Sequence, residues 1–133
     1  MNIRDIAVGQ TLPEARLPIT ASAIVAGAIA TNDFENVHHD KAAAQERGVP
    51  DIFMNILTTN GVVQRYVGAW APSARIASAE LKLGAPNFVG DEMVLTGEVA
   101  GVDGGRVRVA VSGRNAIGEH VSATIVLDFG SVQ

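Results

Sequence analysis

The sequence predicts an α+β domain in which an antiparallel sheet wraps around one long central helix. Three observations carry this expectation. Apolar residues recur at three- and four-residue steps over residues 52–70, which is a helical period; from Arg75 the period drops to two and stays there to residue 129. Asp103-Gly104-Gly105 interrupts the alternating half with a hairpin turn, because glycine accepts positive φ freely. A helix and a sheet that each carry one apolar face bury both most economically against each other.

The elements follow in order. Residues 8–20 read as a short strand broken by Pro13 and Pro18, and an edge position suits a strand whose prolines cannot donate to a ladder. Residues 21–30 are almost pure Ala, Ile and Val, with Ser22 near the start and Gly27 inside, and are expected to be helical. Residues 41–47 form a short helix stopped by Gly48. Asp51 is positioned to N-cap the central helix. In that helix Ile52, Phe53, Ile56, Leu57, Val63, Tyr66, Val67 and Trp70 mark the apolar positions. About eighteen residues at helical rise span roughly 27 Å. Gly61 costs about 1 kcal/mol there relative to alanine, and close approach of another backbone is one reason to keep it. Four strands then follow: one from Arg75 with Ala77, Ala79, Leu81 and Leu83 on one face, one over residues 93–99, one over residues 106–111, and one over residues 120–129 with Val121, Ala123, Ile125 and Leu127 inward.

The totals bound the class. With 133 residues the chain is long enough for one core and too short for two, so residues 1–133 are assigned as a single domain. Half-apolar composition with 18% charged residues is globular rather than disordered. A net charge of −4 argues against nucleic acid as the main partner. The lack of cysteine excludes disulfides, thiolate metal sites and a cysteine nucleophile. Met1-Asn2-Ile3-Arg4-Asp5 has no signal-peptide character, and no apolar run approaches the ~20 residues of a membrane span, so a cytoplasmic location is expected.

Chemistry concentrates in residues 31–40, Thr-Asn-Asp-Phe-Glu-Asn-Val-His-His-Asp, which hold two of the three histidines. A fold alone does not need so many titratable groups between two apolar stretches. The run Asp33-Phe34-Glu35-Asn36-Val37-His38-His39-Asp40 resembles the Asp-x-Asn-Pro-x-His-x-Asp signature of the MaoC-like enoyl-CoA hydratases and dehydratases, whose fold is the hot-dog arrangement. Asp33, His38 and Asp40 match the signature; Glu35 and Asn36 depart from it, and Met54-Asn55 stands where the family has His-Gly. The resemblance spans nearly the whole chain. With Asp51-Ile52-Phe53-Met54-Asn55-Ile56-Leu57-Thr58 and Val63-Gln64-Arg65-Tyr66-Val67, the chain looks like one subgroup: the small subunits of heteromeric hydratases in bacterial steroid (cholesterol) side-chain degradation. That resemblance implies a catalytic subunit that adds water to a bulky enoyl-CoA and works beside a larger subunit carrying a second MaoC-like domain. It implies no cofactor and no metal, coenzyme A being part of the substrate.

Hydrating an α,β-unsaturated thioester needs a base for water, an acid for the α-carbon and donors for the thioester oxygen. Asp33 is the candidate base, tuned by partial burial, and His38 the group that holds the same water and carries the proton. The Asn55 backbone amide at the start of the long helix is the candidate oxyanion donor, with Met54 and Ile56 beside it as substrate-binding residues. Simpler roles compete. Asp33 also suits a turn or cap, one of His38 and His39 is structural (His39 is assigned so), and Asp40 is read as the N-cap of the short helix. Asn55, Thr58, Thr59 and Asn60 could merely solvate a helix face. Two other functions stay open: a hot-dog acyl-CoA thioesterase, and a non-catalytic subunit that completes another protein's pocket.

Overall fold

The computed structural model describes residues 1–130; residues 131–133, the end of the assigned domain, lie outside the described residues. Five antiparallel strands form one sheet in the order β1-β3-β4-β5-β2, comprising β1 (Thr11–Pro18), β2 (Arg75–Leu83), β3 (Glu92–Asp103), β4 (Arg106–Arg114) and β5 (Glu119–Asp128). Helices α1 (Ala21–Ala30), α2 (Lys41–Glu46) and α3 (Ile56–Trp70) lie between β1 and β2 in the chain. The sheet wraps α3, giving the hot-dog arrangement expected. The Asp103/Arg106 hairpin turns at Gly104 and Gly105 with φ of 57° and 85°. Two consecutive positive values are what a two-residue turn needs to match strand twist, and glycine reaches them without strain.

The core follows from the alternation. Val107, Val109 and Val111 of β4 and Val121, Ala123, Ile125 and Leu127 of β5 point inward and are buried. They join Val63 and Val67 of α3 in one buried cluster. Each fully buried valine or leucine contributes about 1.5–3 kcal/mol, so this seam is the main stabilising contact of helix on sheet. β1 pairs only with β3, at the sheet edge, as its prolines require.

Four expectations are corrected. The central helix begins at Ile56, not near Asp51, and its 15 residues span about 22 Å. Asp51 spends its carboxylate on the Ile52 N–H, while Phe53 bridges to Phe88 in extended conformation and the Met54 N–H donates to Asn87 O. A helix cannot run through residues held extended by that bridge, so it starts only after them, with Asn55 as its cap. Ile56 and Leu57, expected inward, are 53% and 51% exposed. In β2 a bulge between Ile76 and Ser78 breaks the alternation, so Ile76 joins Ala79 and Leu81 against the core. Finally, Gly61 has open space around it, whereas a Cβ on Gly27 would lie 2.3 Å from Thr58 Oγ1. Gly27 is the glycine that close packing requires.

Candidate active site

The site is assembled where α1 ends beside the start of α3. Asn32 takes a left-handed φ of 57°, the N–H of Asn32 donates to Ile29 O and that of Asp33 to Ala28 O. This is a Schellman-type ending, in which asparagine tolerates the left-handed position almost as glycine does. It turns the chain so that Asp33 leaves α1 facing the N-terminus of α3. A 3₁₀ turn over Asn36–His38 brings the chain back, and His38 is buried.

Asp33 and His38 meet: His38 Nε2 lies 3.4 Å from Asp33 Oδ2. The other ring nitrogen settles the tautomer. His38 Nδ1 is 2.7 Å from the Phe53 carbonyl, which only accepts, so Nδ1 carries the proton. The ring also packs edge-on against Phe53, with centroids 4.8 Å apart. The two neighbours have the structural roles expected. His39 Nε2 donates to the backbone carbonyl of Asp33 at 2.8 Å, pinning the loop. Asp40 Oδ1 accepts from the Ala42 and Ala43 amides as the N-cap of α2.

Asn55 is the hub of the site. Its side chain N-caps α3 by accepting from the Thr58 N–H, and it donates to Thr31 Oγ1 at 2.8 Å and to Asp33 Oδ2 at 2.9 Å. Its backbone N–H makes no backbone bond among the described residues and sits at the positive end of the α3 dipole. Asn87 O holds the preceding residue through the Met54 N–H, and Asn115 Nδ2 in turn donates to Asn87 Oδ1. The peptide expected to serve as oxyanion donor is thus braced from the β2–β3 connection. A cavity of about 300 Å³ opens on these groups, lined by Asp33, His38, Phe53, Met54, Asn55, Ile56, Leu83, Gly84, Pro86 and His120.

The electrostatics differ from expectation at Asp33. Hydrogen bonds from the Asn55 side chain, then from the Glu35 amide, hold its carboxyl below the usual carboxylate range; burial pushes the other way and loses. The carboxylate is therefore ionised at neutral pH, as a base must be.

Sequence reasoning missed His120, which it read only as the start of a strand. The ring is buried, donates from Nδ1 to Ala85 O at 2.7 Å and accepts at Nε2 from the Thr59 hydroxyl at 2.8 Å. Burial pushes this imidazole below the usual histidine range. The only hint in the sequence was Thr59, a polar residue on an otherwise apolar helix, whose burial appears only in the fold. The basic residues Arg75 and Arg106 pair with Asp128 at the far end of the sheet, away from the cavity lining.

Known proteins are similar to this chain. The "MaoC like domain" family model matches residues 5–120. The chain is 50% identical over 121 residues, 90% of its length and 94% of the relative's, to the 3-oxo-4,17-pregnadiene-20-carboxyl-CoA hydratase beta subunit of Mycobacterium tuberculosis. It superposes on a chain in the crystal structure of the ChsH1-ChsH2 complex from M. tuberculosis with a TM-score of 0.90 and 49% identity, covering 92% of this chain and 97% of that one. The unliganded R-hydratase PhaJ1 from Pseudomonas aeruginosa shares the fold at a TM-score of 0.88 and 19% identity, over 98% and 86% of the two chains. With the signature aspartate and histidine facing one another beneath a braced helix N-terminus, and the family's sequence model running through almost the whole fold, this chain belongs to the MaoC-like family.

Proposed function

We propose that this chain is the catalytic subunit of an enoyl-CoA hydratase that adds water across the α,β-double bond of a steroid side-chain thioester. The observation that carries the chemistry is the approach of Asp33 Oδ2 to His38 Nε2, 3.4 Å apart. With Nδ1 protonated, a neutral His38 presents Nε2 as an acceptor, and so does the carboxylate. One water can satisfy both by donating each of its hydrogens, which leaves its oxygen lone pairs free for the substrate.

The steps balance. Asp33 takes a proton from that water as its oxygen bonds to the β-carbon. The π electrons move toward the thioester carbonyl, whose oxygen takes up negative charge beside the Asn55 N–H and the helix N-terminus. Electrons return to the α-carbon, which accepts the proton from the dyad through His38 Nε2. The net change is addition of H and OH, and Asp33 and His38 end as they began. No redox group or metal is required, and coenzyme A enters only as part of the substrate.

The partner and substrate class rest on the 50% identity to a steroid carboxyl-CoA hydratase beta subunit. The pocket size agrees: about 300 Å³ is at the low end for small-molecule sites and holds the reacting thioester but not a whole steroid-CoA. The rest of the substrate needs a surface from outside this chain, the role we assign to a larger subunit with a second MaoC-like domain. No helix among the described residues is long and apolar enough to cross a membrane, and we place the complex in the cytoplasm.

The reading is tested by assembling the complex and following loss of the conjugated thioester absorbance with steroid and straight-chain enoyl-CoA substrates. Hydration of the steroid substrate is expected to exceed that of a short straight-chain one in kcat/KM. Hydrolysis to free CoA without hydration would point to a thioesterase instead.

A further inference from the structure

We propose that the Asn55 side chain is the positioning residue of the reaction, aiming the Asp33 carboxylate at the water site while its own backbone N–H serves the thioester oxygen. The inference rests on the reading of Asp33 as the base. It starts from a buried amide, 4% exposed, with all four of its hydrogen-bonding positions filled. Nδ2 donates to Thr31 Oγ1 and to Asp33 Oδ2; Oδ1 accepts from the Thr58 N–H and the Thr58 hydroxyl.

The amide cannot be reversed. A backbone N–H only donates and an ionised carboxylate only accepts, so rotating Asn55 by half a turn sets donor against donor at Thr58 and acceptor against acceptor at Asp33. Each partner is itself fixed. The Thr31 hydroxyl donates to Gly27 O at 2.8 Å, and Gly27 lets α1 close on Thr58 where any Cβ would collide. The helix cap, the helix–helix contact and the carboxylate are thus one connected network.

Its consequence falls on one oxygen. Asp33 Oδ2, the atom that faces His38 Nε2, is also the atom that takes the Asn55 hydrogen bond, while Oδ1 is held by the Glu35 N–H. Both torsional freedoms of the carboxylate are used up before substrate arrives, which is the preorganisation that acid–base catalysis requires. The same contact is the largest influence holding Asp33 in its ionised form. Asn55 therefore fixes where the base points and how far into acid it remains a base.

The decisive variant is Asn55→Ser. Serine caps a helix about as well as asparagine but is too short to reach Asp33, so it separates the cap from the positioning contact. Asn55→Asp keeps the cap and replaces the donor with a second carboxylate. Two measurements are made on the assembled complex. ¹³C NMR of labelled aspartate follows the Asp33 titration without substrate, and kcat/KM is profiled against pH with the steroid enoyl-CoA. The Asp33 midpoint and the acid limb of the profile are expected to move to higher pH in the order wild type, Asn55→Ser, Asn55→Asp. In Asn55→Ser, kcat should fall about 10- to 100-fold with a smaller change in KM. An unchanged midpoint together with unchanged kcat in a folded Asn55→Ser complex overturns the inference. Retained activity in Asp33→Asn overturns the base assignment instead, and the NMR midpoint still reports on Asn55 in that case.

Discussion

At the scale of single residues, Asp33 and His38 act on the same water, and their contributions should not add. Asp33→Asn removes the base and keeps the shape; His38→Ala removes the proton carrier. Each is expected to lower kcat in the assembled complex by about 10²–10⁴-fold, or about 3–5 kcal/mol of barrier. The double variant should be little worse than the worse single one. An additive double-mutant cycle, or an Asp33→Asn enzyme keeping more than about a tenth of wild-type turnover, removes the shared-water mechanism. His120 is a different kind of residue, a buried neutral imidazole tying α3 to the β2–β3 connection through Thr59 and Ala85. Burial lowers its folded pKa below the ordinary histidine value, so the unfolded chain binds a proton more readily than the folded one. The stability from this site is complete above about pH 6.5, the usual histidine value, and erodes as pH falls from there toward the folded pKa. Denaturant midpoints measured from pH 8 to pH 5 should show this acid loss in the wild type and less of it in His120→Gln.

Among the elements, α1 and α3 place two glycines in opposite circumstances, and the same substitution should have opposite signs. At Gly27 an added Cβ meets Thr58 Oγ1 at 2.3 Å, and Thr58 cannot swing away without breaking the Asn55 network. Gly27→Ala should destabilise by about 1–3 kcal/mol, the cost of overpacking, against a helix-propensity gain of about 1 kcal/mol. It should also lower kcat, because Thr31 and Asp33 ride on the same helix end. At Gly61 an added Cβ meets nothing within 4 Å and the residue is exposed. Gly61→Ala should stabilise by up to about 1 kcal/mol. Urea denaturation of both variants decides the pair, and a stabilised Gly27→Ala would refute the packing argument. The start of α3 belongs to this scale too. Had the helix begun near Asp51, Phe53 would not present its carbonyl to His38 or Met54 its N–H to Asn87, and the site would lose two braces at once.

For the whole molecule, the sheet has two edges of different character. β1 is blunted by Pro13 and Pro18, whereas β2 contains no proline and its outer edge has no strand partner among the described residues. An unprotected edge invites a further strand. Exposed Ile29, Phe34, Ile56 and Leu57 add apolar surface on α1, the loop after it and the start of α3. The chain is therefore expected not to act as a monomer, and its productive assembly should include the larger MaoC-like subunit. Sedimentation velocity at micromolar concentration should show an oligomer, and steroid enoyl-CoA turnover should appear only on mixing the two subunits. A stable, well-folded monomer, or full turnover by this chain alone, counts against that assembly.

The sequence by itself determined the layout. Period two after Arg75, the Gly104-Gly105 turn and the apolar stripe ending at Trp70 each encode a local preference that survives in the fold, because backbone geometry and side-chain periodicity are short-range properties. The Asp33/His38 pair was legible through its resemblance to the MaoC-like signature, and the structural roles of His39 and Asp40 were legible because both act within a few residues of themselves. What only the tertiary structure decided involves partners distant in sequence. Whether Asp51 or Asn55 caps α3 turned on the Phe53–Phe88 bridge; whether Gly27 or Gly61 marks a close approach turned on where α1 meets Thr58. The basicity of Asp33 turned on an amide 22 residues away, and His120 reaches the site from the last strand. Local pattern specifies the elements, but the direction of a hydrogen bond and the sign of a pKa shift belong to the three-dimensional contact, and they exist only once the helix and the sheet have closed on each other.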